Sequence, residues 1–340
     1  LIRVCKSTPG LLQLLLTYVS LCSTPTNSHT GLDIKMNENK GFDVLGMGCV
    51  AVDEILRIPK WPEQDTKVRL NHYDKQCGGL TGNALVAASR FGARCAFAGH
   101  LGFDSNSDFV KNTFLTEKVN IDHVPWKNDS MPIHSFIIVD ESNDTRTILF
   151  HLNGSTGAPV DSPAENVILS SKVLFVDHYG IEGMIRCAKI ARRAGIPVVA
   201  DLERNEWQGF DELISLVDHL IISIKFARKI SGCSSPGAIA HKLFTPGKKV
   251  VVVTGGEEGC WYIEENRVLK HFPAFKVKAI DTTGCGDVFH GVYSACLADG
   301  LPIHERIRLS SAASAMKALH PGAQKGAPTR EQVLKFLETR

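Results

Sequence analysis

A glycine-rich turn that leads into a helix near the C-terminus is the segment best suited to chemistry. Residues 281–291 have the sequence Asp-Thr-Thr-Gly-Cys-Gly-Asp-Val-Phe-His-Gly. Backbone N–H groups at the N-terminus of a helix lack intrahelical acceptors and lie at the positive end of the helix dipole, so they bind anions. Because Gly284 and Gly286 adopt unusual dihedral angles readily, the backbone can approach a phosphate closely there. The turn therefore predicts an anion-binding site.

Asp287 follows this turn directly and falls in the first turn of the predicted helix. A carboxylate at that position repels a phosphate, but it is well placed to accept the proton of an attacking hydroxyl group. The residues alone leave a second interpretation open, because an acid near a helix N-terminus also stabilises the helix through its dipole.

Strand-like and helix-like segments alternate from Gly41 onward, which predicts an α/β fold with a mostly parallel sheet covered by helices on both faces. The predicted strands are 42–46, 94–99, 173–176, 198–201, 220–222, 249–254 and 277–280. The predicted helices are 82–91, 105–117, 182–194, 210–216, 235–243, 287–299, 303–319 and 329–337. Two segments, about 54–74 and 133–152, show period-two alternation instead and predict a small antiparallel sheet that stands off the main domain.

Composition excludes several classes of function. The 340-residue chain has a formal net charge of only +2 and no basic cluster, so a nucleic-acid partner is not expected. The apolar run 11–21 is too short to span a bilayer as a helix, so no membrane partner is expected. Ten cysteines are scattered singly, without a C-x-x-C pair, which is typical of reduced thiols in a cytoplasmic enzyme.

The first 40 residues differ from the rest of the chain. Arg3 and Lys6 precede the apolar run, which is compatible with a signal peptide. Met36, however, opens a segment typical of a soluble start just before the first predicted strand. We therefore expect residues 1–40 to be an extension, with 1–35 dispensable or upstream of the native start, and residues 41–340 to form the folded domain.

Two motifs together resemble the ribokinase-like (PfkB) carbohydrate kinases. The pattern D-T-T-G-x-G-D-x-F-x-G at 281–291 is similar to the C-terminal signature of that family, and Gly-Gly-Leu-Thr-Gly-Asn-Ala at 78–84 resembles its N-terminal signature. They occur in the family's order, and the resemblance covers residues 41–337. It implies a ribokinase-like fold, with the small antiparallel sheet as a lid, and ATP-dependent phosphorylation of a hydroxyl group on a small sugar or sugar derivative.

The resemblance also implies a role for each matched residue. Asp287 corresponds to the catalytic base, and the anion hole corresponds to Gly284, Cys285 and Gly286. The expected sugar contacts are Asp53, Gly78, Gly79 and Asn83. The expected nucleotide contacts are Ser223, Thr254, Gly256, Gly259 and Thr283. A monovalent-cation loop, for K⁺, would use Asp281 and Thr283 with residues 322–324, and Mg²⁺ would accompany ATP.

Three positions depart from the family pattern. Ser223 and Phe226 replace the Asn and Glu of a motif that the family links to Mg²⁺, which weakens a protein-held metal site. Cys285 replaces a residue that is more often Ala or Gly. Its electropositive surroundings could lower the pKa of its thiol, or the side chain could simply be small enough for the turn.

Arg146, in the predicted lid, has two interpretations. A lone arginine on a strand is usually a solvated edge residue. A guanidinium group also suits an anionic sugar substituent, and the C-terminal third resembles the subgroup that contains sulfofructose kinases. We therefore include Arg146 among the substrate-binding candidates.

Two other functions fit parts of the sequence. Gly-Met-Gly-Cys-Val-Ala at 46–51 fits the G-x-G-x-x-A pattern of an NAD-dependent oxidoreductase, but Pro59 and Pro62 interrupt the helix that should follow. A non-catalytic sugar or nucleotide sensor on the same fold stays open, because fold does not fix function. The resemblance further predicts a homodimer that forms through the lid.

Overall fold

Thirteen strands and ten α-helices build the part of the chain that the computed structural model describes, residues 41–143 and 145–340. The predicted N-terminal extension, residues 1–40, lies outside the described residues. The strands are β1 (Phe42–Met47), β2 (Ala51–Ile58), β3 (His72–Gly78), β4 (Cys95–Phe97), β5 (Val119–Asn120), β6 (Ile133–Asp140), β7 (Thr145–His151), β8 (Ser171–Val176), β9 (Val198–Asp201), β10 (His219–Ser223), β11 (Val250–Thr254), β12 (Cys260–Glu264) and β13 (Lys270–Phe272). The helices are α1 (Leu80–Arg90), α2 (Ser105–Thr116), α3 (Glu165–Leu169), α4 (Ile181–Arg193), α5 (Phe210–Leu216), α6 (Ile224–Ser231), α7 (Pro236–Leu243), α8 (Cys285–Ala298), α9 (Ile303–Lys317) and α10 (Arg330–Glu338).

The larger sheet has nine strands in the order β13-β12-β11-β10-β9-β8-β1-β4-β5. All of its pairs are parallel except β11 with β12 and β12 with β13. Its central strands are nearly continuous apolar runs, such as the four valines that begin β11, because parallel strands are buried on both faces. Side chains of α1, α2, α8, α9 and α10 form one core layer, and those of α3 to α7 form the other. The predicted α/β class is confirmed.

The smaller sheet has the order β3-β2-β6-β7. Its two outer pairs are antiparallel, as predicted, while the central pair, β2 with β6, is parallel. Directly opposed residues share a face. We call the face that carries Asp53, Ser135 and Phe150 the inner face, and the opposite one, which carries Phe136 and Leu149, the outer face.

Several predicted elements differ in the structure. Residues 277–280 are not a strand, because the backbone N–H of Ile280 donates to the carbonyl of Ala318 at 2.7 Å and so pairs with the end of α9. Helix α8 begins at Cys285 rather than at Asp287, since Gly284 takes the left-handed conformation, with φ 79°, that starts it. In place of the helix that a dinucleotide fold requires, the chain continues from β1 into β2. Within the described ranges, no helix is both long and apolar enough to cross a membrane.

Helices α1 and α8 approach each other closely, and this contact decides where the N-terminal ends of both helices lie. A Cβ atom on Gly291 of α8 would stand 2.1 Å from the carbonyl oxygen of Ala84 on α1. Only glycine therefore permits this separation, and a side chain would have to push one helix backbone away.

We expect Gly291→Ala to lower the free energy of unfolding by about 1–3 kcal/mol or more, because the added methyl group meets backbone rather than a movable side chain. Urea unfolding would measure the change. Gly237→Ala in α7 is the matched control: its new Cβ would meet only the end of the half-exposed Leu269 side chain, so helix propensity should offset the contact. Equal stability of Gly291→Ala and the wild type would contradict the constraint.

Candidate active site

The glycine-rich turn lies at the N-terminus of α8, as the sequence indicated. Gly284 is the N-cap residue, and a Cβ on it would lie 2.8 Å from the Cα atom of Ala323. Gly286 has open space around its Cα atom. The first N–H groups of α8 have no intrahelical acceptors, so this end of the helix can hold an anion. The structure thus brings Gly284, Cys285 and Gly286 together at one positive helix end.

Asp287, the third residue of α8, faces α1. Its Oδ2 atom accepts a hydrogen bond of 2.6 Å from Nδ2 of Asn83. The side chain of Asn83 is almost fully buried, yet its Oδ1 atom has no hydrogen-bond partner. A buried acceptor without a donor is costly, so this atom suits a ligand that brings a hydroxyl group. Asn83 and Asp287 therefore form one polar pair, and its unpaired acceptor, Oδ1 of Asn83, is available to a ligand.

The pKa of Asp287 is raised well above its usual range. Removal of its carboxyl group from water is the main cause, and the nearby Asp201 carboxylate adds to it. Asp201, at the end of β9, lies 3.3 Å from Nδ1 of the buried His290. A carboxylate with a raised pKa binds a proton more readily, which is the property that a general base requires. The sequence did not reveal Asp201, and its only signal was an acid at the end of an apolar strand.

The predicted sugar contacts gather where β2, β3 and the start of α1 meet. A Cβ on Gly78 would lie 2.2 Å from Oδ2 of Asp53, so the missing side chain makes room for this carboxylate. Gly79 has φ 87° and caps α1, and a Cβ on it would lie 2.6 Å from the Cα atom of Val50. Burial raises the pKa of Asp53 to about 6, although the Ser135 hydroxyl opposes the shift. These residues and Asn83 thus surround a polar, poorly hydrated site.

Asp177 holds this region together, and the sequence analysis missed it. It is fully buried after β8. Its Oδ2 accepts from the backbone N–H of Cys49 at 2.7 Å and from the Thr81 hydroxyl at 2.9 Å, and its Oδ1 accepts from the backbone N–H of Tyr179 at 2.7 Å. The carboxylate therefore ties the turn before β2 to the start of α1.

A cleft of about 640 Å³ extends from the anion site toward β11 and β12. Residues that line it include Thr254, Gly256, Gly259, Cys285, Gly286 and Ser314. Three of the predicted nucleotide contacts, Thr254, Gly256 and Gly259, are therefore placed together beside the anion site.

Two further residues that were predicted to contact the nucleotide are placed elsewhere. The hydroxyl of Ser223 caps α6 by accepting from the N–H of Phe226 at 3.3 Å, and Ser223 does not line the cleft. Thr282 lines the cleft instead of Thr283. The backbone N–H of Thr283 donates to Oδ1 of Asp281 at 2.8 Å. Burial raises the pKa of the Cys285 thiol, which favours the second of its two interpretations, a small side chain that fits the turn.

Arg146 links the small sheet to the anion site. Its guanidinium group extends from the inner face of β7 and donates a hydrogen bond to the hydroxyl of Thr283. Four residues further along the same face of β7, the centroid of the Phe150 ring lies 5.8 Å from the guanidinium carbon of Arg204. The inner face of the small sheet therefore contacts the main domain beside the cleft. Arg146 is exposed on the edge strand β7, but its guanidinium group also has a partner beside the anion site.

The predicted monovalent-cation residues also meet. The two oxygens of the Asp281 carboxylate accept from the N–H groups of Thr283 and Gly322, each at 2.8 Å. The carbonyl oxygen of Asp281 accepts from Nζ of Lys317 at 2.7 Å, a contact that the sequence did not predict. Within the described part of the chain, no cluster of three or more His, Cys, Asp or Glu side chains is arranged to hold a metal ion.

The chain is similar in sequence and in fold to known proteins. The family model described as pfkB family carbohydrate kinase matches residues 46–330. Ribokinase of Haemophilus influenzae is 29% identical over 301 residues, covering 86% of this chain and 97% of that protein. Fructokinase-1 of Oryza sativa subsp. japonica is 27% identical over 293 residues, covering 78% and 89%. The crystal structure of ribokinase from Thermotoga maritima superposes with a TM-score of 0.76 at 25% identity, covering 87% and 99%.

The chain therefore belongs to the pfkB family of carbohydrate kinases. The predicted fold and the predicted activity class, ATP-dependent phosphorylation of a sugar, are confirmed. The oxidoreductase alternative is rejected.

The raised pKa of Asp53 predicts a pH-dependent stability effect. Its folded-state pKa of about 6 exceeds the ordinary aspartate pKa of 3.8. Folding therefore gains most from this group below pH 4, and the gain is lost as the pH rises through 6. We expect the stability of Asp53→Asn relative to the wild type to increase by about 2 kcal/mol between pH 4.5 and 7.5. Urea unfolding at both pH values measures it, and a constant difference would contradict the assignment.

Proposed function

We propose that Asp287 is the general base that removes the proton from the sugar hydroxyl as that hydroxyl attacks the γ-phosphoryl group of ATP. The observation that carries this proposal is the 2.6 Å hydrogen bond between Asp287 and Asn83, beside an unpaired Asn83 oxygen. A hydroxyl group that donates to this oxygen would lie next to the carboxylate of Asp287. Geometry and pKa thus favour the same residue.

The N–H groups of Gly284, Cys285 and Gly286 are proposed to form the anion hole for the transferring phosphoryl group. Preorganised donors at a helix N-terminus stabilise charge that develops in the transition state without a reorganisation cost. The cleft lined by Thr254, Gly256 and Gly259 suits the nucleotide, because it opens directly onto this helix end. Phosphoryl transfer depends mainly on such positioning and charge stabilisation.

Asp53, Gly78, Gly79 and Asn83 are proposed to bind the sugar. The carboxylate of Asp53 and the amide of Asn83 offer acceptors to hydroxyl groups, while the missing side chains of the two glycines make room for Asp53 and for the backbone of Val50. Arg146, which extends from the small sheet to the hydroxyl of Thr283, is proposed to bind an anionic substituent when the sugar carries one. Ribokinase and fructokinase relatives make pentoses and ketohexoses the first substrates to test.

Mg²⁺ is expected to arrive with ATP, where it would neutralise phosphate charge. The position that would match a metal-linked Glu is Phe226, and Ser223 uses its hydroxyl as a helix cap, so the phosphates themselves are the principal ligands in this proposal. The non-catalytic alternative, a sugar or nucleotide sensor, derives its support from these same two positions. Turnover of any sugar would eliminate it.

We also propose a cytoplasmic homodimer that forms through the small sheet. Eight cysteines in the described ranges carry free thiols, as is usual in a reducing compartment. On the outer face, Tyr73 and Leu149 are each about half exposed, and Phe136 lies opposite Leu149 on the neighbouring strand. An exposed apolar sheet face of this kind favours association with a second copy.

Replacement of the base should abolish turnover but not folding. We expect Asp287→Ala to lower kcat by about 10²–10⁴, the usual contribution of a general base, with little change in the affinity for sugar. ADP release is measured with ribose, fructose, a nucleoside, a ketose phosphate and a sulfonated ketose. The matched control is Asp211→Ala, which removes an exposed acid from the first turn of α5, a helix that contributes no residue to the lining of the cleft. A general helix-dipole role would make the two variants behave alike.

Turnover within about threefold of the wild type in Asp287→Ala would exclude the proposed base. Absence of turnover in the wild type on every acceptor, with ATP binding retained, would favour the sensor instead.

Dimer formation is tested by Leu149→Lys on the outer face. We expect the wild type to sediment as a dimer at about 10 μM and the variant as a monomer, because a charge in an apolar interface is strongly unfavourable. Val268→Lys, which alters an exposed apolar residue between β12 and β13, should leave the dimer intact. A monomeric wild type would exclude this part of the proposal.

A further inference from the structure

Lys317, the last residue of α9, is a charged side chain with no exposed surface. Lysine is almost never fully buried unless its ammonium group has partners. Here Nζ donates to the backbone carbonyl oxygen of Asp281 at 2.7 Å and to that of His320 at 3.2 Å. The ammonium group therefore lies between two chain segments, one that leads into the glycine-rich turn and one that follows α9.

These two segments are the arms of the predicted monovalent-cation loop. The carboxylate of Asp281 already joins them through the N–H groups of Thr283 and Gly322. The carbonyl oxygens of Asp281 and His320 complete the link on the ammonium of Lys317. A positive charge is thus enclosed by the same arms that would enclose an ion.

Backbone carbonyl oxygens are the ligands with which proteins replace the hydration shell of K⁺. An ammonium group carries the same charge and offers three N–H donors to such oxygens. A K⁺ ion between these arms would have to share the carbonyl oxygen of Asp281 with Lys317, and the two like charges would repel each other in a poorly hydrated site. The expected K⁺ ion does not fit this loop.

We propose that the ammonium group of Lys317 takes the place of a monovalent cation, so that this kinase needs no K⁺. Lys317 is a positioning residue: it holds the loop that sets the anion hole and does not contact the substrates. The chain thereby carries its own cation on α9, at a fixed distance from the turn.

The connection from Lys317 to the anion hole is short. Residue Thr283, held by Asp281, precedes Gly284, and Ala323 packs against the backbone of Gly284 from the other arm. One turn before Lys317, the hydroxyl of Ser314 donates to the carbonyl oxygen of Cys285 at 2.9 Å. Loss of the ammonium group would therefore release both sides of the glycine-rich turn and misplace the N–H groups of α8.

The first test uses the wild-type protein. Its thermal midpoint, its affinity for MgADP and its kcat are compared in KCl, NaCl and tetramethylammonium chloride at one ionic strength. We expect each affinity and kcat to agree within about twofold, and the midpoints within about 1 °C, because binding of an ion would stabilise the fold by mass action. A rise of about tenfold in kcat or of several degrees in KCl alone would overturn the proposal.

The second test creates the missing site. Lys317→Ala removes the ammonium group and leaves space, so we expect a loss of about tenfold or more in kcat in tetramethylammonium chloride and substantial recovery in KCl or NH₄Cl. The midpoint of this variant should also rise by about 2–4 °C in KCl. Lys317→Met fills the space with an apolar chain and should not recover. A Lys317→Ala variant as active as the wild type without K⁺ would overturn the proposal.

Lys248 provides the matched control. It is also buried, and its Nζ donates to the carbonyl oxygens of Ile214 and Val217, but it precedes β11 at the end of the sheet opposite the cleft. We expect Lys248→Ala to be less stable than the wild type and equally so in all three salts. Recovery of Lys248→Ala in KCl would mean that K⁺ acts generally, which would count against a specific site.

The measurement of kcat rests on the proposed function, whereas the thermal midpoint and the MgADP affinity can be measured without a sugar. A wild type that is inactive on every acceptor but insensitive to K⁺ would reject the proposed function and leave this inference supported. A wild type that is active only in KCl would support the proposed function and overturn this inference. If Lys317→Ala does not fold, the wild-type comparison alone decides.

Discussion

The hydrogen bond between Asn83 and Asp287 joins positions 204 residues apart in the chain, and the arrangement of the site follows from it. Asn83 lies in the first turn of α1, which starts where the small sheet ends, and Asp287 lies in the first turn of α8, which starts at the glycine-rich turn. Both helices cover the same face of the large sheet, and the missing side chain at Gly291 lets them touch. The helix pair α1 and α8 therefore brings the residues proposed to bind the sugar next to those proposed to bind the phosphoryl group.

Around this bond the protein keeps several ionisable groups away from water. Asp177, Asp201, His290 and Lys317 are all buried, and each is held by hydrogen bonds or by an opposite partner. Such groups contribute less to stability than apolar side chains of similar size would, and they are retained where position or protonation matters. Asp177 and Asp201 lie at strand ends, and His290 and Lys317 lie on helices α8 and α9. Together these four groups mark the site more clearly than any single residue does.

The sequence was sufficient for features that are local. Strand Val198–Asp201 and helix Phe210–Leu216 have the predicted bounds, because apolar periodicity and turn residues define them without help from the rest of the chain. The elements α3, α6, β5, β12 and β13 were missed. Of these, α3, β5 and β13 have too few residues to carry a periodic signal. Asp287 and its glycine-rich turn were found by residue type and spacing, and Asn83 was found through the resemblance of its motif to a known family. Asp177 and Lys317 were not, because their significance is their burial, and burial of a charge is a tertiary property.

The parallel pairing of β2 with β6 has a consequence for how the small sheet arises. Between these strands the chain builds β3, α1, β4, α2 and β5, which belong partly to the large domain. Closure of such a long connection costs entropy that only later contacts recover. The small sheet should consequently form after its neighbours during folding, and it should not be transferable as a module to another scaffold. Its shape is a product of the domain that it covers, and evolution can alter one only in step with the other.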